Sequence, residues 1–130
     1  MKREPVWLLE ETVRAVHDAQ IAEHGGPPGL REGGGLASAL AHAQNLFAYG
    51  DPTLFDLAAA YGARLVQNHP FVDGNKRTAY VAVRLFLVRN GYDLTASRAD
   101  RVSTFLRLAG GDLGEADLAR WIEENTAQVG

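Results

Sequence analysis

The sequence predicts an all-α fold. Three observations carry that expectation. Apolar residues recur at helical spacing along most of the chain. Glycine-rich breaks separate the periodic stretches. Almost nothing shows the strict alternation of a half-buried strand. At 130 residues the chain fits one domain, 1–130, around one core. An apolar content of 46% is enough to fill that core, so wholesale disorder is excluded.

The elements follow in order. Residues 8–24 carry Leu9, Val13, Val16 and Ile21 at helical steps, and Gly25 and Gly26 stop the helix. The stretch GGPPGLREGGG, residues 25–35, is too rich in glycine and proline for any helix. It reads as a long loop with room for a short β-hairpin. Residues 36–47 form an alanine-rich helix that ends near Gly50. Asp51 and Pro52 then suit an N-cap and first helical position. Leu54, Leu57, Ala58, Tyr61 and Leu65 continue that third helix until Pro70 forces a turn. From Asn75 apolar residues fall nearly all round a helix that Gly91 ends, which predicts the buried central element. YDLTASRAD is a connection, with Ser97 capping a helix over 98–109. The last helix spans 115–126.

Composition narrows the function. Thirteen cations against sixteen acids give a net charge of −3, which argues against bulk nucleic-acid binding but leaves room for a small basic site. The absence of cysteine excludes disulfides, thiolate nucleophiles and cysteine zinc sites, and suits a reducing cytoplasm. MKREPVWLLEETV lacks the apolar run of a signal peptide, and no stretch is long enough to span a bilayer.

Most of the chemistry sits in NHPFVDGNKRTAY, residues 68–80. Gly74, Asn75, Lys76 and Arg77 lie where a helix begins. First-turn N–H groups have no internal partner, and the dipole there favours an anion. Gly74 permits close backbone approach, Arg77 can grip a phosphate with a planar fork, Lys76 adds a mobile charge, and Asn75 can donate one further hydrogen bond. Cations at a helix start oppose the dipole, a placement that makes sense if an anion comes. These four residues read as a phosphate cradle. His69 is placed to take a proton from a hydroxyl. Asp73 can bind a magnesium ion bridging phosphates, or orient the hydroxyl, or merely cap the helix. Phe71 anchors the loop in the core. The motif is no P-loop, because Asn75 separates Gly74 from Lys76 and no glycine stands where that motif needs its first. Together these residues point to phosphoryl or nucleotidyl transfer.

HPFVDGNKR resembles the signature of the Fic/Doc family, His-x-Phe-x-(Asp/Glu)-Gly/Ala-Asn-(Gly/Lys)-Arg. Lys76, with the flanking RLVQNHPF and TAYVAVRLFLVRNGYDL, resembles the Doc (death-on-curing) toxin branch. That resemblance implies a compact helical fold with the motif between two central helices, ATP as substrate and Mg2+ as helper. It implies a toxin that moves the terminal phosphate to a Thr or Ser hydroxyl, with elongation factor Tu as target and a Phd-like antitoxin as partner. By position, His69 would be the base, Asp73 the metal ligand, residues 74–77 the cradle, and the 25–35 loop a flap over the target segment. AMP-transferring members carry a second arginine three positions after the first. Tyr80 stands there, and Arg84 lies two turns (~10.5 Å) beyond Arg77. No Ser/Thr-x-x-x-Glu-(Gly/Asn) inhibitory segment occurs, so the chain is expected to lack its own brake. The rival readings are AMP transfer and a catalytically silent module that holds an acidic partner.

Residues outside the motif have plainer readings. His17, His24 and His42 lack partners at useful spacing and suit surface or helix-end roles. Arg64 is a candidate partner for Asp73. Trp7 and Trp121 are read as packing residues.

Overall fold

The structure, a computed structural model, describes residues 3–129. Six helices run in order: α1 (Glu10–His24), α2 (Leu36–Tyr49), α3 (Leu54–Asn68), α4 (Asn75–Arg89), α5 (Arg98–Gly110) and α6 (Glu115–Glu124). Two three-residue strands, β1 (Tyr92–Leu94) and β2 (Thr126–Gln128), pair antiparallel with Leu94 opposite Thr126. The all-α expectation holds. The strands lie in segments read from sequence as a connection and a helix end, because three residues are too few to display alternation.

α3, rather than α4, is the most enclosed helix, packed against α2, α4 and α6. It is buried at every position from Leu57 to Ala63. The sequence signal was there but easily misjudged: Ala58, Ala59, Ala60, Gly62 and Ala63 are small, and small residues let neighbours approach on all sides. A Cβ on Gly62 would come within 2.9 Å of Val83 in α4 and 3.1 Å of Leu118 in α6. Thr53, not Asp51, caps α3. Its hydroxyl accepts from the Asp56 N–H and the Asp56 carboxylate accepts from the Thr53 N–H, a reciprocal capping box. Ser97 caps α5 as expected, accepting from the Asp100 N–H.

The segment before α1 closes one end of the core. Leu8 is buried and its N–H donates to the Tyr61 hydroxyl, whose own burial pushes the phenol up to about 12. Trp7 packs edge-on to Phe47 at 5.5 Å and against Phe86 at 6.5 Å, a packing role as read. The Asn90 side chain ties down both the N–H and the carbonyl of Val6. Among the described residues no helix is long and apolar enough to cross a membrane.

The close approach at Gly62 gives a direct test. Gly62→Ala should gain up to ~1 kcal/mol of helix propensity but incur overpacking of about 1–3 kcal/mol. A net drop in the urea midpoint is expected; a raised midpoint would mean that α4 and α6 yield freely.

Candidate active site at the α3–α4 junction

Pro70 sets the local geometry. α3 ends at Asn68, and His69 takes the left-handed conformation (φ 47°, ψ 57°) as its C-cap. It is the one non-glycine residue with positive φ among the described residues. A side chain in that region costs roughly 1–2 kcal/mol, and such strain gathers at functional sites. Most helix ends of this kind are closed by N–H groups of the following residues. Pro70 has no N–H to offer. Arg31 acts instead, its guanidinium donating from Nε to the His69 carbonyl and from Nη2 to the Asn68 carbonyl, both at 2.8 Å. His69 itself is exposed, and its ring makes no hydrogen bond among the described residues.

Phe71 is buried, as expected of an anchor. Asn75 clamps it from the next helix: Oδ1 accepts from the Phe71 N–H at 3.0 Å and Nδ2 donates to its carbonyl at 2.9 Å. The Asn75 side chain was expected to reach a ligand. It is instead 9% exposed and committed to shaping the loop, leaving its backbone amide for the cradle. Gly74 begins α4 in the left-handed region (φ 78°), and no side chain caps the helix. The first backbone bond into α4 runs from the Thr78 N–H to the Gly74 carbonyl, so the amides of Asn75, Lys76 and Arg77 stay open. A left-handed residue followed by right-handed ones turns successive N–H groups into an anion-binding hollow. Lys76 and Arg77 are exposed beside it and form no ion pair among the described residues.

Asp73 is exposed. Its Oδ1 accepts from the Gly74 N–H at 2.7 Å. Its Oδ2 lies so close to Gly26 that a Cβ there would sit 2.8 Å away. No ion pair with Arg64 forms. Among the described residues there is no cluster of three acids or histidines able to hold a metal. A single carboxylate with one oxygen unbonded fits only an ion that brings most of its ligands with it, as magnesium does on a phosphate chain.

His17 corrects the sequence reading most sharply. It is 1% exposed and lies flat on Phe71, with ring centroids 3.8 Å apart and 6° between planes. Its Nε2 is 2.7 Å from the Asp73 carbonyl oxygen, which can only accept, so Nε2 carries the proton. His42 also has a partner, Glu115 at 3.1 Å. The 25–35 loop forms no hairpin of its own. It lies along the motif as a single antiparallel bridge, Leu30 opposite Phe71, with Arg31 N–H to Pro70 O at 2.8 Å and Val72 N–H to Gly29 O at 3.1 Å. A groove of about 600 Å³ opens beyond the cradle, between the end of α1, the start of α4 and α5. Arg31, His17 and this groove were not found from sequence. Arg31 reads as a charge in a glycine-rich loop, and His17 lies more than fifty residues before the motif.

The fold and junction define a class: helical proteins with an uncapped helix start beside an exposed histidine. The Fic/DOC family model matches residues 7–87, and the chain belongs to that family. The Doc-branch resemblance also holds. Over 85 residues the chain is 40% identical to the "Protein kinase doc" of Escherichia phage P1, covering 65% of this chain and 68% of that protein. Over 76 residues it is 45% identical to the "Toxin Doc" of Mycolicibacterium smegmatis, covering 55% and 57%.

Arg31→Met keeps much of the side chain's bulk but frees two carbonyls. A loss of about 1.5 kcal/mol is expected, the low end for hydrogen bonds from a charged donor because the group is exposed. An unchanged urea midpoint would show that water replaces the guanidinium at no cost.

Proposed function

We propose that this protein is a Doc-like toxin that transfers the terminal phosphate of ATP to a threonine or serine hydroxyl of a protein. The carrying observation is the uncapped, glycine-started end of α4, with Lys76 and Arg77 unpaired beside it and an exposed His69 one short turn away. The names of the two relatives, a protein kinase and a toxin, support the same reading. Elongation factor Tu is the target we propose, a Phd-like antitoxin the partner, and the cytoplasm the compartment.

The chain's own residues divide the work. The open amides of residues 75–77, with Lys76 and Arg77, bind the phosphates and offset charge that develops on them. Arg31, Asn75 and His17 hold the loop so that His69 and the helix start keep a fixed relation. The His69 imidazole takes the proton of the target hydroxyl. That oxygen forms a bond to the terminal phosphorus as the bond to the bridging oxygen breaks, and ADP leaves. The proton passes from His69 to solvent. Asp73 would hold Mg2+, which neutralises phosphate charge when bound. The 25–35 loop, already paired to the motif through one bridge, would be the flap over the target segment.

His69→Ala should lower phosphate transfer by about 10²- to 10⁴-fold, the usual weight of a general base. ATP labelled at the γ position, incubated with a cell lysate, reads this out. Label carried from the α position instead would identify AMP transfer, and near-normal γ transfer by the variant would remove His69 from the mechanism. Arg77→Ala should weaken ATP binding by roughly 10- to 100-fold, the value of a lost charge-assisted contact. Calorimetry showing unchanged affinity would count against the cradle.

A further inference from the structure

The groove beyond the cradle is richer in positive charge than the rest of the chain. Four cations line it, Lys76 and Arg77 from α4 and Arg98 and Arg101 from α5, against the one acid Glu23. The protein as a whole carries a net charge of −3. Tyr80 lies one turn after Arg77 on the same face of α4, and both line the groove. The Tyr80 hydroxyl accepts a hydrogen bond from Arg101 Nη1 at 2.7 Å. Arg101 Nε donates to the Ala96 carbonyl at 2.8 Å. The Arg101 guanidinium is therefore held at the tip of residue 80 by a rigid post, itself braced edge-on against Phe105 at 5.5 Å.

Two of the five Arg101 donors are committed and three remain. No carboxylate pairs with it among the described residues. The nearby acid, Asp93, is gripped by Arg84 through two bonds of 2.9 and 3.1 Å. Arg84 holds that carboxyl below the usual range, with Arg101 a lesser contributor. Arg84 is thus occupied, while Arg101 keeps its remaining donors for the groove. Apolar side chains, Val81 and Val102 among them, share the lining and suit a ligand that is only partly charged.

We propose that Arg101 contacts the ligand directly, as the α5 wall of a site for a nucleoside polyphosphate whose phosphate chain runs from the start of α4 towards Tyr80. Residue 80 carries no charge, and α5 delivers one to its tip. The inference rests on the nucleotide reading above and adds a residue to it.

The test is calorimetric titration of the full chain with AMP, ADP and ATP in the presence of Mg2+, using wild type, Arg101→Met and Arg101→Lys, with a urea midpoint for each. Wild type should bind more tightly with each added phosphate. Arg101→Met should lose about tenfold in ATP affinity and much less in AMP affinity, so the dependence on phosphate number flattens. Arg101→Lys keeps the charge without the fork and should fall between; if the methionine variant does not fold, this one carries the test. Equal ATP affinity in wild type and the variants, even with a lowered urea midpoint, would reduce Arg101 to a tie between α5 and α4 and overturn the proposal alone. Wild type that binds no nucleotide would overturn the nucleotide reading, and the role of Arg101 with it.

Discussion

The turn between α3 and α4 has to be rigid while leaving its own amides unpaired. A backbone usually becomes rigid by pairing its N–H and C=O groups with each other. Here that route would fill the hollow that makes the site. The chain resolves the conflict by drawing rigidity from side chains elsewhere. Asn75 closes the Phe71 peptide from one side, His17 reaches the Asp73 carbonyl from α1, and Arg31 takes the carbonyls of Asn68 and His69. Every one of these contacts is to the backbone. None touches the amides of Lys76 and Arg77, so the turn is fixed in shape and open in chemistry.

The same constraint explains the glycines that matter. Gly74 must be left-handed for the hollow to form, and at φ 78° a side chain there would be strained. Gly26 and Gly34 serve proximity. A Cβ on Gly26 would press on the Asp73 carboxylate, and one on Gly34 would come within 2.7 Å of the Pro70 backbone. At these two glycines the 25–35 loop lies directly against the motif. Its pairing groups are directed to residues 70–72, which is why it builds one bridge there and no hairpin within itself.

How much was legible in the sequence follows from range. The helices were readable because helical periodicity is local, and the Ser97 cap for the same reason. The motif was readable because its cradle lies within four consecutive residues. The supports of the motif were not. His17 meets Phe71 and Asp73 across more than fifty positions, and Arg31 meets Asn68 and His69 across more than thirty-five. Nothing in the spacing of a lone histidine on α1 distinguishes a surface residue from a buried one. The enclosure of α3 was misjudged for a different reason. An all-round apolar pattern points to α4, whereas the alanines and glycine of α3 mark the surfaces that pack closest. Asn75 shows a third limit: residue type announces a hydrogen bond, and only geometry says whether a ligand or the loop receives it.

Electrostatics complete the argument. An acidic protein can still bind a polyanion if its few cations converge where its acids are absent or already paired. α4 sets Lys76 and Arg77 at the end of its own dipole that repels them. α5 adds Arg98 and Arg101 from across the groove. Asp93, which lies near enough to Arg101 to feel its charge, is turned to Arg84 instead. The placement of these four cations is mildly unfavourable, because like charges are held near one another and two of them near a positive helix end. On the proposed nucleotide reading, one ligand carrying several negative charges at phosphate spacing would relieve them together. A carboxylate would satisfy the helix start alone. On that reading Arg101, held at the tip of Tyr80, would give a chain of phosphates a second contact that a single carboxylate at the helix start would lack.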